Sequence, residues 1–294
     1  MLDPAGDVAY VPHVNFGLHA IFTANGTIKW IFPKAVMVND IPPSTVAVGS
    51  YGVLYIAAIK TLFALYTSNG SNVWQIPLPF DNIGVGVSIS PLDGTIFLIL
   101  VDGSLVAVDP SGKTKWIKKV LDQSPSDFYY FGTPVIHPYT GIIYIRGIDQ
   151  VVSVKSSDGS VVWASNAGGC GFQYGCFYDG IVPTLAPDGT LFGSAFGCSL
   201  FEYPLYIISI KANGDLNWQQ QYVECCDSCP LTPSDPTIDG TGKIVFISTD
   251  NRLNAYEIAT GNTIWTVSGS GGGSLCPCPP PMDYARSLMA CWLP

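Results

Sequence analysis

The chain has 294 residues, a formal net charge of −9 and only 12% charged residues. The acidic balance excludes nucleic acid and anionic membrane surfaces as partners, because phosphate binding needs clustered lysine and arginine. No apolar run reaches the roughly 18–20 residues that a membrane-spanning helix requires, and a surface so poor in charge is typical of secreted or assembled proteins.

A glycine followed four residues later by a tryptophan occurs six times along the chain. The pairs are Gly26/Trp30, Gly70/Trp74, Gly112/Trp116, Gly159/Trp163, Gly214/Trp218 and Gly261/Trp265. They recur about every 40–50 residues, a period that suits a unit of four strands. The sequence therefore predicts a repeat architecture with six units.

Each unit contains two predicted hairpins. The first leads through a turn into a strand rich in Val, Ile, Tyr and Phe, as in GSYGVLYIA (49–57) and PLDGTIFLIL (91–100). The second is opened in most units by Asn-Gly or Asp-Gly, which a tight turn with positive φ favours, and its returning strand carries the tryptophan. No segment longer than a turn has a helical period. These patterns predict an all-β fold of four-stranded antiparallel blades.

Two segments, AVDPSGKTKW (107–116) and AYEIATGNTIW (255–265), closely resemble the PQQ-like repeat of the quinoprotein-type β-propellers. The resemblance covers most of residues 1–268 and implies a β-propeller. It also implies that the tryptophans dock between neighbouring blades as packing groups and do not line a cofactor site. These residues are Trp30, Trp74, Trp116, Trp163, Trp218 and Trp265.

The first unit has no obvious innermost strand. With strands labelled A to D from the propeller axis outward, only Leu2-Asp3 precedes strand B of the first unit. The apolar segment 285–294, which follows the connector 269–284, is predicted to supply this strand A by pairing residues 286–292 with Asp7–Val11. The expectation is one domain over 1–294, a six-bladed propeller closed by its two termini, which leaves no exposed sheet edge. A part of a larger seven- or eight-bladed protein is the alternative.

All nine cysteines lie in the second half of the chain, in connections predicted to share one face of the propeller or in the closing strand. They are Cys170, Cys176, Cys198, Cys225, Cys226, Cys229, Cys276, Cys278 and Cys291. Clustered cysteines indicate disulfides in an oxidising compartment, with one cysteine free or joined to another chain. Their pairing stays open. Zinc ligation is the alternative, but the spacings match no common finger or ribbon, so no metal is expected.

Two connections on the same predicted face are rich in aromatic residues: SDFYYFG (126–132) and GGCGFQYGCFYDG (168–180). Exposed aromatics beside Asp, Ser and Gly can stack on sugars or form a protein-binding hot spot. They can equally cover the ends of the blades. The candidate partner-binding residues are Phe128, Tyr129, Tyr130, Phe172, Tyr174, Phe177 and Tyr178.

Two sequons, Asn25-Gly-Thr and Asn69-Gly-Ser, are candidate N-glycosylation sites. Asn-Gly is also the pair that a tight turn favours, so turn chemistry alone accounts for both asparagines.

Common catalytic motifs are absent: the sequence has no G-x-S-x-G, no H-E-x-x-H and no P-loop. His13, His19 and His137 sit in strand or turn positions of the repeat and are expected to be structural. Only the vicinal pair Cys225-Cys226 favours an enzyme, because it resembles the vicinal disulfide of PQQ-dependent alcohol dehydrogenases. The calcium-binding Glu, Asn and Asp and the catalytic Asp of that family cannot be matched here.

The sequence therefore predicts a non-catalytic, extracellular-type structural or interaction module without a cofactor. The resemblance implies related proteins that scaffold outer-membrane assembly or serve as extracellular binding platforms. The expected partners are proteins, glycans or further copies of the chain, and the expected location is extracellular or another oxidising compartment such as the periplasm. A PQQ-dependent dehydrogenase, or a fragment of one, is the alternative.

Overall fold

A computed structural model describes residues 1–13, 16–33, 46–82, 86–121, 132–147, 150–165, 183–196, 205–223, 234–249 and 252–268. Its strands are β1 (Val8–His13), β2 (Gly17–Phe22), β3 (Ile28–Phe32), β4 (Ala47–Val48), β5 (Val53–Tyr66), β6 (Asn72–Asn82), β7 (Ser88–Ile89), β8 (Ile96–Ile99), β9 (Ser104–Val108), β10 (Thr114–Lys119), β11 (Val135–Ile136), β12 (Ile142–Arg146), β13 (Val151–Lys155), β14 (Val161–Ser165), β15 (Thr184–Leu185), β16 (Leu191–Phe196), β17 (Leu205–Ile210), β18 (Leu216–Val223), β19 (Thr237–Ile238), β20 (Ile244–Thr249), β21 (Arg252–Glu257) and β22 (Thr263–Ser268). One 3-10 turn, Ser50–Gly52, precedes β5.

The strands form six antiparallel sheets, here called blades 1 to 6 in chain order. Blades 3 to 6 each contain four strands in sequence order, so each blade is an up-and-down sheet. The first strand of each of these blades has only two residues, whereas the following strands have four to eight. This arrangement confirms the predicted all-β fold of antiparallel blades.

Blade 2 also has four strand segments, because β5 contains both legs of a hairpin. Thr67 N donates to Gly52 O over 2.8 Å, which joins the residues just outside the two ends of β5. Ile56 and Phe63 belong to the same buried cluster although one number is even and the other odd. Side chains on one face of an uninterrupted strand are all at even or all at odd positions. The chain therefore reverses its direction between Ile56 and Phe63.

Blade 1 takes its inner strand from the first residues of the chain. Leu2 forms an antiparallel bridge with Ala9, and Tyr10 N donates to Met1 O over 2.8 Å. Asp3 N donates to Val8 O over 2.9 Å. Met1 and Leu2 thus hold the register position that β4, β7, β11, β15 and β19 hold in the other blades.

The prediction that residues 286–292 lie beside Asp7–Val11 concerns residues outside the described part of the chain, which ends at residue 268. Among the described residues, β1 is bonded from Val8 to Tyr10 to residues 1–3 on one side and to β2 on the other. Two residues are sufficient for this strand because the inner strand of every other blade is equally short.

Five apolar clusters fill the spaces between consecutive blades. Successive side chains of a strand point to opposite faces of the sheet. In β8, accordingly, Leu98 packs in the cluster shared with blade 2, while Phe97 and Ile99 pack in the cluster shared with blade 4. Each interior blade therefore depends on both neighbours for its core, as in other repeat architectures.

Candidate functional site

Five of the six tryptophans lie where two blades meet, each against the glycine of the next blade's C–D turn. A Cβ atom added to Gly70 would lie 2.6 Å from Trp30 Cε3, so no side chain fits there. Gly70 also has φ +72°, a left-handed conformation that glycine adopts without strain. The same contact joins Trp74 with Gly112, Trp116 with Gly159, Trp163 with Gly214 and Trp218 with Gly261.

Each of these indoles also donates a hydrogen bond to the turn that it covers. Trp30 Nε1 donates to Thr67 O over 3.0 Å, and its ring packs on Tyr10 of its own blade at 5.8 Å between centroids. The other donors and acceptors are Trp74 and Pro110 O, Trp116 and Ser156 O, Trp163 and Ala212 O, and Trp218 and Ile258 O. A buried indole N–H needs such an acceptor. We call this tryptophan–glycine–carbonyl contact a joint.

Trp265 is placed differently from the other five. It packs on Phe246 of its own blade at 5.8 Å between centroids. Its side chain is 39% exposed, and no glycine of another described blade lies against it.

The A–B and C–D turns share one end of the blades, because each strand reverses the direction of the one before it. At this end, three consecutive A–B turns expose a large apolar side chain: Tyr51 in blade 2, Leu92 in blade 3 and Tyr139 in blade 4. Leu92 Cδ1 would lie 3.1 Å from a Cβ atom added to Gly141, in the turn of Tyr139. The turns of blades 3 and 4 are therefore neighbours, and we call Tyr51, Leu92 and Tyr139 the turn patch.

Tyr51 combines full exposure with an unfavourable backbone conformation. It is 100% exposed and has φ 59°, the only positive φ among the non-glycine residues that the structure describes. The left-handed region costs a residue with a side chain roughly 1–2 kcal/mol. The fold gains no packing from this side chain, and strained residues of this kind cluster at functional sites.

Polar contacts hold the turns beneath the patch. Lys115 Nζ lies 3.0 Å from Asp93 Oδ2, and Thr95 donates to the same carboxylate. Burial opposes ionisation of Asp93, but these hydrogen bonds outweigh it and lower its pKa well below the ordinary value. His137 Nδ1 accepts from Tyr139 N over 3.2 Å, so this histidine orders the turn that carries Tyr139.

The other two histidines lie at the β1–β2 hairpin. His13 packs on Phe16 at 4.7 Å between ring centroids, and His19 Nε2 lies 3.2 Å from Phe16 O. Within the described ranges, no group of three or more His, Cys, Asp and Glu residues is placed to hold a metal ion.

Asn25 and Asn69 both brace exposed C–D turns. Asn25 Oδ1 accepts from Thr27 N over 3.0 Å and from Thr27 Oγ1 over 2.7 Å. Asn69 Oδ1 accepts from Ser71 N over 3.0 Å and from Ser71 Oγ over 2.8 Å. These bonds use the side-chain oxygen and not Nδ2, the atom to which an N-glycan is attached.

Several predicted site residues lie outside the described part of the chain. They comprise all nine cysteines and the aromatic residues Phe128, Tyr129, Tyr130, Phe172, Tyr174, Phe177 and Tyr178. The described residues include no helix with the length and apolar character needed to cross a bilayer.

The sequence predicts binding residues only in the long connections and does not identify the turn patch. The available signal was a large apolar residue inside short turns, as in S-Y-G and P-L-D-G, where blade 5 has A-P-D-G. A short turn gives such a residue no core to enter, so exposure could have been inferred.

The six blades with their joints define the chain as a β-propeller. Among solved structures, BamB from Moraxella catarrhalis superposes with a TM-score of 0.64 at 16% identity, over 91% of this chain and 75% of that one. At this identity the similarity concerns the fold. No curated protein matches the chain in sequence.

A family model described as outer membrane protein assembly factor BamB matches residues 15–170. This match spans more than half of the chain and includes four of the six tryptophan–glycine repeats. The chain belongs to this family of PQQ-like repeat propellers.

Proposed function

We propose that this propeller is a non-catalytic protein-interaction scaffold and that the turn patch is one of its binding surfaces. The family to which it belongs is named for a factor of outer membrane protein assembly. By that relation, we propose that this chain too holds other proteins in an assembly. The exposed apolar residues on three consecutive turns are the observation that carries the proposal.

The chemistry of the turn patch suits a protein partner. Aromatic side chains are enriched at the centres of protein interfaces. Tyr51 and Tyr139 sit on turns fixed by hydrogen bonds, so binding would order little additional backbone. The Asp93–Lys115 pair beside Leu92 supplies charge at the rim, where polar contacts set orientation.

We further propose a second surface at the opposite end of the blades, where the strand order predicts the D-to-A connections. There, the aromatic connections 126–132 and 168–180 are proposed to bind a protein or a glycan, as their Tyr and Phe content favours. A scaffold with a surface at each end could hold two partners at once.

The proposed location is an oxidising compartment outside the cytoplasm, either the periplasm or the extracellular space. Nine cysteines confined to positions 170–291 support disulfides between connections at one end of the blades. A thiol count on denatured, unreduced protein should find one or few free thiols. Six or more free thiols would contradict both the disulfides and the compartment.

If that compartment belongs to a eukaryotic secretory pathway, Asn25 and Asn69 are proposed to carry N-glycans. Both lie on exposed turns and keep Nδ2 out of the turn's hydrogen bonds. Treatment with a peptide-N-glycosidase should then increase gel mobility, and Asn25→Gln with Asn69→Gln should abolish the shift.

Site-specific photo-crosslinking in the cells that make the protein tests the turn patch. A crosslinking residue at position 51 or 139 should capture a discrete partner, and Leu92→Asp should remove the adduct. The control places the crosslinker at Thr241, in the equivalent turn of blade 6, where no large apolar side chain occurs. The same adducts from position 241, or adducts that persist in Leu92→Asp protein with unchanged circular dichroism, would refute this surface.

A further inference from the structure

Gly193 leaves open space between blades 4 and 5 at a position where other blades have a large apolar side chain. The strand registers give the equivalent residues as Ile56, Leu98, Ile145 and Ile247. These side chains are 0–2% exposed and pack against the preceding blade. A Cβ atom added to Gly193, by contrast, would meet no described atom within 4 Å. We call this space the Gly193 recess.

The backbone does not require a glycine at position 193. β16 pairs with β17 in unbroken register from Leu191 to Phe196, without a bulge. The φ of Gly193 does not lie in the positive range that favours glycine. A glycine inside a regular strand weakens the strand and often marks the close approach of another group, such as a ligand. Gly193 is also partly exposed, so the recess is open to solvent.

Two polar residues of blade 4 replace apolar residues beside this recess. One buried cluster between blades 3 and 4 contains Ile99, Ala107 and Ile145. The registers give the corresponding residues between blades 4 and 5 as Arg146, Ser153 and Gly193. An arginine, a serine and a glycine thus stand where the preceding pair of blades has an apolar contact.

Strand alternation directs both polar side chains toward blade 5. Arg146 lies two residues after Tyr144 in β12, and Ser153 lies two residues after Val151 in β13. Tyr144 and Val151 pack in one cluster with Leu191 of blade 5. Because alternate side chains share a face of the sheet, Arg146 and Ser153 also face blade 5. Arg146 stands opposite Val151, so Ser153 is its diagonal neighbour, within reach of a long side chain.

The polar atoms at the recess suit an anion. Ser153 is fully buried, and its Oγ has no hydrogen-bond partner among the described residues, although buried hydroxyls in proteins are generally paired. Arg146 is partly exposed, yet burial lowers its pKa, against the opposing charge of Asp235. Its guanidinium stays charged and carries five N–H donors, more than one carboxylate can use.

We propose that the Gly193 recess binds a small carboxylate, whose oxygens accept from Arg146 and from Ser153 Oγ. Charge-assisted bonds of this kind are strong, and arginine matches a carboxylate with two parallel N–H groups. A short apolar tail would fill the space of the missing leucine or isoleucine side chain, which has room for about three or four carbon atoms. The site lies at the opposite end of β12 from the turn patch and does not depend on the proposed scaffold function.

Equilibrium dialysis of the full chain with radiolabelled butyrate tests the proposal. Butyrate should bind at a single saturable site, with a Kd of about 0.1–1 mM because the ligand has so few atoms. Butyramide and butylammonium keep the tail but change the charge, and neither should compete. Acetate, with a shorter tail, and octanoate, with a longer one, should each bind more weakly than butyrate.

Three variants restore the residues found between blades 3 and 4. Arg146→Ile should weaken butyrate binding at least about tenfold, and Ser153→Ala about 3–10-fold, through loss of hydrogen bonds. Gly193→Ile should abolish binding because it fills the recess. Lys155→Met is the matched control, since it removes an exposed positive charge from the other end of β13, and it should bind like the wild type. Circular dichroism should show the same fold for all four.

Absence of saturable butyrate binding by the wild type overturns the proposal, and ordered water would then be the partner of Ser153. Unchanged binding by folded Arg146→Ile or Gly193→Ile protein also overturns it, as does competition by butylammonium. If Gly193→Ile does not fold, the order of acetate, butyrate and octanoate on the wild type decides. Affinity that rises steadily with tail length would indicate an open apolar surface and contradict a recess of limited size.

Discussion

Trp30 and Trp265 hold the same position in their blades, yet only Trp30 is buried. Each packs on an aromatic ring of its own blade, Tyr10 or Phe246, with 5.8 Å between centroids. Trp30 is 8% exposed and Trp265 39%. The difference comes from the next blade, because Gly70 and the Thr67 carbonyl cover Trp30.

The comparison separates the contacts that a tryptophan makes within its own blade from those that it makes with the following blade. A single blade orients its tryptophan on a neighbouring ring. Only the following blade excludes water from the indole and satisfies its N–H. The stabilising interactions of this propeller are therefore shared between units, as in other repeat proteins.

The largest contrast is expected from truncating the two tryptophans. Trp30→Ala should lower the free energy of unfolding by about 3–5 kcal/mol, the usual loss for a buried Trp. Trp265→Ala should cost only about 1–2 kcal/mol, since much of its surface already contacts water. Urea unfolding of dilute protein, followed by far-UV circular dichroism, measures both.

Equal losses for the two variants would mean that Trp265 is covered in solution. Trp116→Ala serves as the control for an interior joint and should resemble Trp30→Ala, because its indole also bonds to the next blade.

A smaller contrast is expected from the glycines that face these rings. Gly26→Ala and Gly70→Ala share the strain of a positive φ, about 1–2 kcal/mol. Gly70→Ala also drives a methyl group into Trp30 and should lose roughly another 1–3 kcal/mol through overpacking. The same urea titration separates the two, and Gly6→Ala controls for strain alone. A Gly26→Ala loss as large as that of Gly70→Ala would contradict the open space beside Gly26.

The smallest expected effect is the loss of turn stability at low pH, and it again compares blade 6 with an interior blade. The Thr241 hydroxyl lowers the pKa of Asp239, in blade 6, to about 2. Hydrogen bonds from Thr95 and Lys115 lower the pKa of Asp93, in blade 3, and Lys115 adds an ion pair that the structure does not show for Asp239. Each carboxylate stabilises the folded state above its unfolded pKa of about 4, and this contribution is lost as the pH falls through the folded pKa.

On acidification toward pH 2, amide exchange should therefore increase first in the turn of Asp239 and later in that of Asp93. Hydrogen exchange at several pH values, normalised to unfolded peptides, measures the order. Asp239→Asn should remove the pH dependence of its own turn only. Opening of the Asp93 turn first would contradict the assignment.

The repeat itself could be predicted well from the sequence, because its signals are local. Gly26/Trp30 and its five counterparts indicated both the turns and the returning strands, and the six blades follow from them. The inner strands were harder, since two residues such as Met1 and Leu2 carry no periodicity. Their pairing is decided by the neighbouring strand and not by their own composition.

The turn patch shows a second reason for incomplete prediction. The exposure of each residue follows from its own short turn, but the contact between Leu92 and the turn of Tyr139 depends on two blades lying side by side. The sequence of one turn does not show which other turns lie next to it. The direction of each joint, from a tryptophan to the glycine of the following blade, likewise becomes visible only when two blades are in contact.

That direction has a consequence for how such proteins change over generations. Every unit carries its own tryptophan and its own glycine, so any unit can follow any other. Losing or duplicating one complete interior unit leaves every tryptophan that precedes another blade opposite a glycine. Losing half a unit leaves a tryptophan and a glycine without their partners. Gene rearrangements that keep these contacts should therefore add or remove whole blades.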